Sequence, residues 1–191
     1  MIHSTILPET VLKIAAAAQE KGIGVVDAPV SGASTRAEDG TLTLIVGAED
    51  WAWEKAYPVL EIVGKDIIRV GKPGAGQVVK LGNNIMALAN QVIHMEAIRF
   101  VEAYGVNREA LDQVAVVSTG ASWAVSNYEF FDTKYGIEHP LAGTELPHVL
   151  GKDLRYAVTV AQEQNTYLPA TALCAQLLPG MFKVRWAKIR G

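Results

Sequence analysis

The spacing of apolar positions changes once along the chain, near residue 73. Before that point short apolar runs alternate with helical patterns. Behind Pro8, Val11, Leu12, Ile14, Ala15 and Ala18 recur at helical spacing and predict a helix ending near Gly22. Residues 24–29, closed by a proline, and 42–47, β-branched and bounded by glycine, predict strands. A helical pattern follows from Asp50 through Val63, and residues 67–70 add a third strand. Beyond it, Val78, Val79, Leu81, Ile85, Met86, Leu88, Ala89, Val92 and Ile93 carry one stripe to about Tyr104, predicting a single long helix over 77–104. Gly105 stops it, Asn107 can cap the next, and helices near 108–117, 147–164 and 169–178 follow. Pro179 is expected to break the last helix, leaving a solvated basic arm with Lys183, Arg185, Lys188 and Arg190.

The pattern therefore divides the chain into an α/β segment, 1–72, and an all-α segment, 73–191, built on one long helix. Three strands make a thin sheet, which calls for another sheet, another chain or a preceding N-terminal portion to cover its edge. Composition adds exclusions. Apolar residues make up 50% and charged residues 19%, and a net charge of −3 gives no electrostatic reason to expect nucleic acid or an anionic membrane as partner. The single Cys174 forbids an intrachain disulfide and fits a reducing compartment, no run is long enough to span a bilayer, and the first ten residues do not read as a secretory signal. The cytoplasm is the expected location. His3, His94, His139 and His148 show no ligand spacing, so no metal is assigned.

Residues 74–84, G-A-G-Q-V-V-K-L-G-N-N, pose the question of a phosphate cradle. A dinucleotide finger needs a third small residue where this chain has Val79, and an acidic residue at the end of a following βαβ unit where this chain turns helical. Gly64-Lys65 and Gly71-Lys72 lack the rest of a P-loop. The stretch instead puts Lys80 and Asn84 four apart, on one helix face. Apolar neighbours Val78, Val79, Leu81 and Ile85 would disfavour a charged lysine, which suits proton transfer; the ordinary alternative is a solvated lysine at a helix start.

Four pieces in order resemble the β-hydroxyacid dehydrogenase family, the group that includes 3-hydroxyisobutyrate dehydrogenase and tartronate semialdehyde reductase. They are Ser4-Thr5-Ile6, D-A-P-V-S-G over 27–32 continuing to Gly40-Thr41-Leu42, G-Q-V-V-K-L-G-N-N over 76–84, and Lys152-Asp153-Leu154. The resemblance implies an α/β partial Rossmann segment followed by an all-α domain, NAD or NADP as cofactor, and a small 3-hydroxy acid or its semialdehyde as substrate. It implies that Lys80 is the general acid/base and that Asn84 holds the substrate oxygen. Ser31, Gly32 and Ala33 would receive the substrate carboxylate, and Trp123 would line the substrate pocket. Thr5 would lie beside the cofactor, with Lys152 reaching toward its nicotinamide end. Ordinary readings stand beside these: Asn84 satisfying a backbone group, Lys152 pairing with Asp153, Trp123 as core, and Arg36 on a solvated turn unless an anionic substrate recruits it.

The chain also departs from that pattern. The family's G-x-G-x-x-G finger precedes the S-T-I motif, at which this chain begins, so the phosphate-binding half of the Rossmann domain is expected to lie outside it. Ala33 stands where a second glycine is usual, and Leu7 where a polar cap is usual. Asn83 argues against a phosphogluconate-type substrate and Lys80 against the imine-reducing relatives. Two functions follow as expectations: the substrate-binding part of an NAD(P)-dependent dehydrogenase, or a shortened, non-catalytic module that dimerises or binds small acids. The apolar long helix predicts at least a homodimer.

Overall fold

A computed structural model describes residues 1–132 and 146–190, apart from the side chains of 146–149 and 190. The chain divides into two compact units, Met1–Asn83 and Asn84–Gly191, and the division falls inside the long helix.

The first unit contains α1 (Pro8–Gln19), β1 (Val26–Asp27), β2 (Val30–Ser31), α2 (Ala33–Glu38), β3 (Leu42–Ala48), α3 (Asp50–Val63), β4 (Gly64–Gly71) and the start of α4 (Ala75–Glu102). The strand anticipated over 24–29 occurs as two short pieces with one register against β3: Val26 faces Ala48 and Val30 faces Leu44, both antiparallel. Pro29 sits in the gap. It has no N–H to donate, yet its carbonyl accepts from the Ile45 amide at 3.1 Å. β4 pairs with the opposite edge of β3 in parallel, and Ile2 forms a parallel bridge to Asp27. The sheet is thus mixed, with β3 central and buried nearly throughout.

Alternation along β3 divides its work. Leu44, Val46 and Ala48 join Val26, Ala28 and the α3 residues Ala52, Ala56 and Leu60 in one apolar core. Gly47, pointing the other way, leaves room for the start of α4. This is the α/β partial Rossmann segment, and the all-α part that follows is built on α4, as the sequence pattern requires.

The second unit contains the remainder of α4, then α5 (Arg108–Ala115), α6 (Trp123–Ser126), α7 (Leu146–Glu163) and α8 (Pro169–Arg190). Asn107 caps α5 by accepting from the Ala110 amide at 3.0 Å, and Ser122 caps α6 by accepting from the Val125 amide at 3.3 Å. Leu88, Val92 and Met95 of α4 pack with Phe131, Leu154, Leu178, Phe182 and Trp186 as the core of this unit.

The end of the chain differs from expectation. α8 passes through Pro179 and continues to Arg190, so there is no solvated arm over the described residues. The apolar stripe explains this: Leu178, Met181, Phe182 and Trp186 repeat at helical spacing and are buried. Their burial outweighs the roughly 3 kcal/mol that an interior proline costs. Arg185 is equally unlike a tail residue. It is buried, its Nη2 donates to the Tyr128 carbonyl at 2.5 Å and to Asp132 Oδ2 at 2.6 Å, and its guanidinium lies 3.5 Å from the centre of the Tyr128 ring. The variable stretch over 128–135 is described only to Asp132; the rest of it, and His139, lie outside the described residues.

Replacing Phe182 by alanine should therefore destabilise the protein by about 3–5 kcal/mol, because the side chain is fully enclosed. Urea unfolding measures it, and a loss under about 1 kcal/mol would return this segment to the status of a surface tail.

Candidate active site

The G-A-G-Q stretch holds a carboxyl group, and that group is part of the protein. Asp27, at the end of β1, is fully buried; its Oδ1 accepts from the Gly74 amide at 2.7 Å and its Oδ2 from the Gln77 amide at 3.0 Å. The N-terminal amides of α4, where a phosphate would otherwise bind, are thus occupied by an internal carboxylate. Two glycines make this possible. A Cβ on Gly76 would stand 2.5 Å from the Ile45 carbonyl oxygen and 2.7 Å from Asp27 Oδ2, and one on Gly47 would strike Asp27 Oδ1. Burial pushes the Asp27 carboxyl above the usual carboxylate range, and the amides of Gly74 and Gln77 oppose that shift.

Gln77 is also fully buried, and its carboxamide faces the N-terminal segment. Its Oε1 accepts from the Ile6 amide at 3.0 Å and its Nε2 donates to the Ser4 carbonyl at 3.1 Å. Thr5 lies between these two contacts.

Lys80 follows one turn later on α4 and is only 8% exposed. Its surroundings differ from the sequence expectation. Leu81 is buried, but Val78 and Val79 are 51% and 43% exposed and point away from the core. Lys80 is thus buried although two of the valines expected to shield it are not.

Asn84 is one further turn along the helix. Its Nδ2 donates to Asp153 Oδ2 at 2.6 Å, which orients the carboxamide: the amino group faces the carboxylate, and Oδ1 faces away as an acceptor. Lys152 Nζ lies 3.1 Å from Asp153 Oδ1 and 5.0 Å from the centre of the Tyr156 ring. Asp153 therefore joins two of the residues singled out from the sequence.

The Ser31-Gly32-Ala33 turn leads from β2 into α2. Gly32 has φ 127°, and Ala33 has φ 55°, a left-handed conformation in which a glycine would be unstrained. Arg36 is committed elsewhere: it donates to Thr43 Oγ1 at 3.0 Å and to Asp66 Oδ2 at 2.7 Å. That hydrogen bond holds the Asp66 carboxyl below its ordinary value. Trp123 begins α6, is 47% exposed, and packs edge-on against Phe130 and Phe131 at ring separations of 5.5 and 5.9 Å.

Sequence reasoning overlooked Asp27, Gln77 and Asp153 as functional candidates. A carboxylate inside the short apolar run 24–29 was the available signal, because a buried acid requires partners. Among the described residues no group of three or more His, Cys, Asp or Glu side chains could hold a metal ion, and no helix is long and apolar enough to cross a membrane. His94 instead lies with Nε2 2.7 Å from Asp112 Oδ1.

The amides of Gly74 and Gln77 at the start of α4 are unavailable to a pyrophosphate because Asp27 holds them. The Ser4-Thr5-Ile6 segment is tied to the helix that carries Lys80.

Two family models match the chain in succession: NAD binding domain of 6-phosphogluconate dehydrogenase over residues 1–71, and NAD-binding of NADP-dependent 3-hydroxyisobutyrate dehydrogenase over residues 74–184. A 2-(hydroxymethyl)glutarate dehydrogenase of Eubacterium barkeri is 39% identical over 177 residues, covering 93% of this chain and 58% of that protein. An NAD-dependent L-serine dehydrogenase of Pseudomonas aeruginosa is 34% identical over 188 residues, covering 97% of this chain and 63% of the relative. The chain thus spans about three fifths of the length of these relatives. Among solved structures, 3-hydroxyisobutyrate dehydrogenase of Mycobacterium tuberculosis with L-serine superposes with a TM-score of 0.79 at 27% identity, covering 99% of this chain and 69% of that one.

The Asp27 environment yields a pH prediction. A carboxyl whose folded value is raised contributes stability that is complete below the unfolded value, near 4, and is lost as pH rises through the folded value. Asparagine does not titrate. The stability gap between the wild type and Asp27→Asn should therefore narrow as pH rises from about 4 to about 7 in denaturant titrations. A gap that widens over that range contradicts the assignment.

Proposed function

Because this chain belongs to the β-hydroxyacid dehydrogenase family, we propose that it forms part of an NAD(P)-dependent enzyme of the 3-hydroxyisobutyrate dehydrogenase type. Such an enzyme interconverts a small 3-hydroxy acid and its semialdehyde. The observation that carries the reading is the burial of Lys80, one helical turn before an asparagine whose carboxamide is oriented by Asp153.

In this reading Lys80, as the neutral amine, accepts the substrate hydroxyl proton during oxidation and returns it during reduction. Burial supports the role, since an amine shielded from water exchanges its proton with the substrate instead of with solvent. Asn84 holds the substrate oxygen, and Asp153 fixes the orientation in which it does so. The Ser31 hydroxyl and the amides of Gly32 and Ala33 receive the substrate carboxylate, at a turn in which Gly32 and Ala33 both have positive φ. Thr5 and Lys152 meet the nicotinamide end of the cofactor, and Trp123 borders the substrate's side chain. NAD(P), when bound, supplies the hydride acceptor or donor.

The exposed residues of α4 support self-association. Val79, Met86, Ile93 and Phe100 recur every seven residues and are all exposed, so they line one strip of the helix. A second copy of the chain covering that strip would make the protein at least a dimer.

Two measurements test these proposals. In the full-length protein, Lys80→Ala should lower kcat for hydride transfer between NADH or NADPH and a panel of small semialdehydes by roughly 10²- to 10⁴-fold. An unchanged rate removes Lys80 from the mechanism. Light scattering after gel filtration should give at least twice the protomer mass, and Phe100→Asp should shift it toward the monomer; a monomeric wild type refutes the dimer.

A further inference from the structure

The carboxamide of Gln77 is the least expected feature of the first unit. A side-chain amide offers one acceptor and donors in one plane, which is what a peptide group offers a neighbouring strand. Gln77 uses both, accepting from the Ile6 amide and donating to the Ser4 carbonyl, and so acts as a single peptide unit of a strand laid beside residues 4–6. The two bonded groups flank Thr5.

The helix end of this clamp is fixed just as firmly. The Gln77 backbone amide donates to Asp27, whose own backbone bridges to Ile2. Ile2 donates to the Val26 carbonyl at 2.9 Å and accepts from the Ala28 amide at 2.8 Å, and His3 Nδ1 lies 2.9 Å from the Ala28 carbonyl. The Gln77 carboxamide holds the next stretch of main chain through the Ile6 amide and the Ser4 carbonyl. Side-chain bonds of this kind span more than seventy positions of sequence, so they register two distant motifs against one another.

We propose that Gln77 is a positioning residue that sets the distance between Thr5 and Lys80, and thereby places the nicotinamide end of the cofactor relative to the proton-transferring amine. It does not touch the reacting atoms. The proposal rests on the function assigned above for the identities of Thr5 and Lys80, while the clamp itself stands on the geometry alone.

Two variants separate the parts. Gln77→Leu removes both bonds with little change in size; Gln77→Glu keeps the acceptor for Ile6 and loses the donor for Ser4. In the full-length protein without ligand, amide hydrogen exchange at Ile6 should accelerate about tenfold or more in Gln77→Leu and stay near wild type in Gln77→Glu. Equilibrium titrations then compare NADH or NADPH with ADP-ribose, which lacks the nicotinamide. Both variants should weaken the dinucleotide about tenfold while changing ADP-ribose affinity by less than about twofold. Should Gln77→Leu fail to fold, Gln77→Glu still carries the ligand comparison.

Unchanged Ile6 exchange in Gln77→Leu overturns the clamp and leaves the proposed function standing. Equal weakening of both ligands, or of neither, overturns the positioning role. A wild-type protein that binds neither ligand overturns the positioning role together with the proposed function, and the Ile6 exchange data tell that outcome from failure of the clamp.

Discussion

A buried carboxylate beneath a helix N-terminus organises the first unit. Asp27 lies where burial alone would expel a charge, and it is retained because the backbone amides of Gly74 and Gln77 converge on it. The helix gains satisfied N-terminal donors, and β1 gains a fixed position against the helix that carries Lys80. Everything nearby is shaped to admit this contact. Gly47 on the central strand and Gly76 on the helix have no side chains where one would collide with the carboxylate. The glycine-rich stretch that resembles a phosphate cradle is thus a packing device, with the anion supplied from within the chain.

That arrangement explains how two short motifs far apart in sequence act as one. The Gln77 backbone belongs to the Asp27 contact, and its side chain belongs to the Ser4–Ile6 segment. One residue joins strand, helix and N-terminal segment, and Lys80 follows on the next turn. In the second unit Asp153 has a comparable function, with Asn84 on one oxygen and Lys152 near the other. In both places an acid without a role in the sequence reading fixes the residues beside it, and in the second unit these include two that had one.

Much of the fold was legible because period and punctuation agree. The helix from Asp50 to Val63 follows the pattern residue for residue, despite Pro58 within it, and the long helix differs by two residues at either end. The last helix was misread because Pro179 was given more weight than the apolar stripe on both sides of it. A local rule was overridden by burial, the usual direction of such conflicts. The candidate site was legible as a set of residue types and spacings: Lys80 and Asn84 share a helix face by arithmetic alone. The contacts that organise the surrounding residues were not, since Asp27 and Gln77 are fifty residues apart and Asn84 and Asp153 sixty-nine. Nothing in local periodicity encodes a contact over such separations.

The strained turn at Ala33 bears on the solvent as well as on the chain. A left-handed alanine sits about 1 kcal/mol above its relaxed state, so neighbouring contacts must hold the turn in shape. Arg36 supplies such a contact three residues later, reaching across to Thr43 and Asp66 on the strands at the sheet's rim. That ion pair is exposed, and dissolved electrolyte weakens exposed pairs. Dissolved ions therefore bear, through Arg36 and Asp66, on how firmly the turn at Ala33 is held.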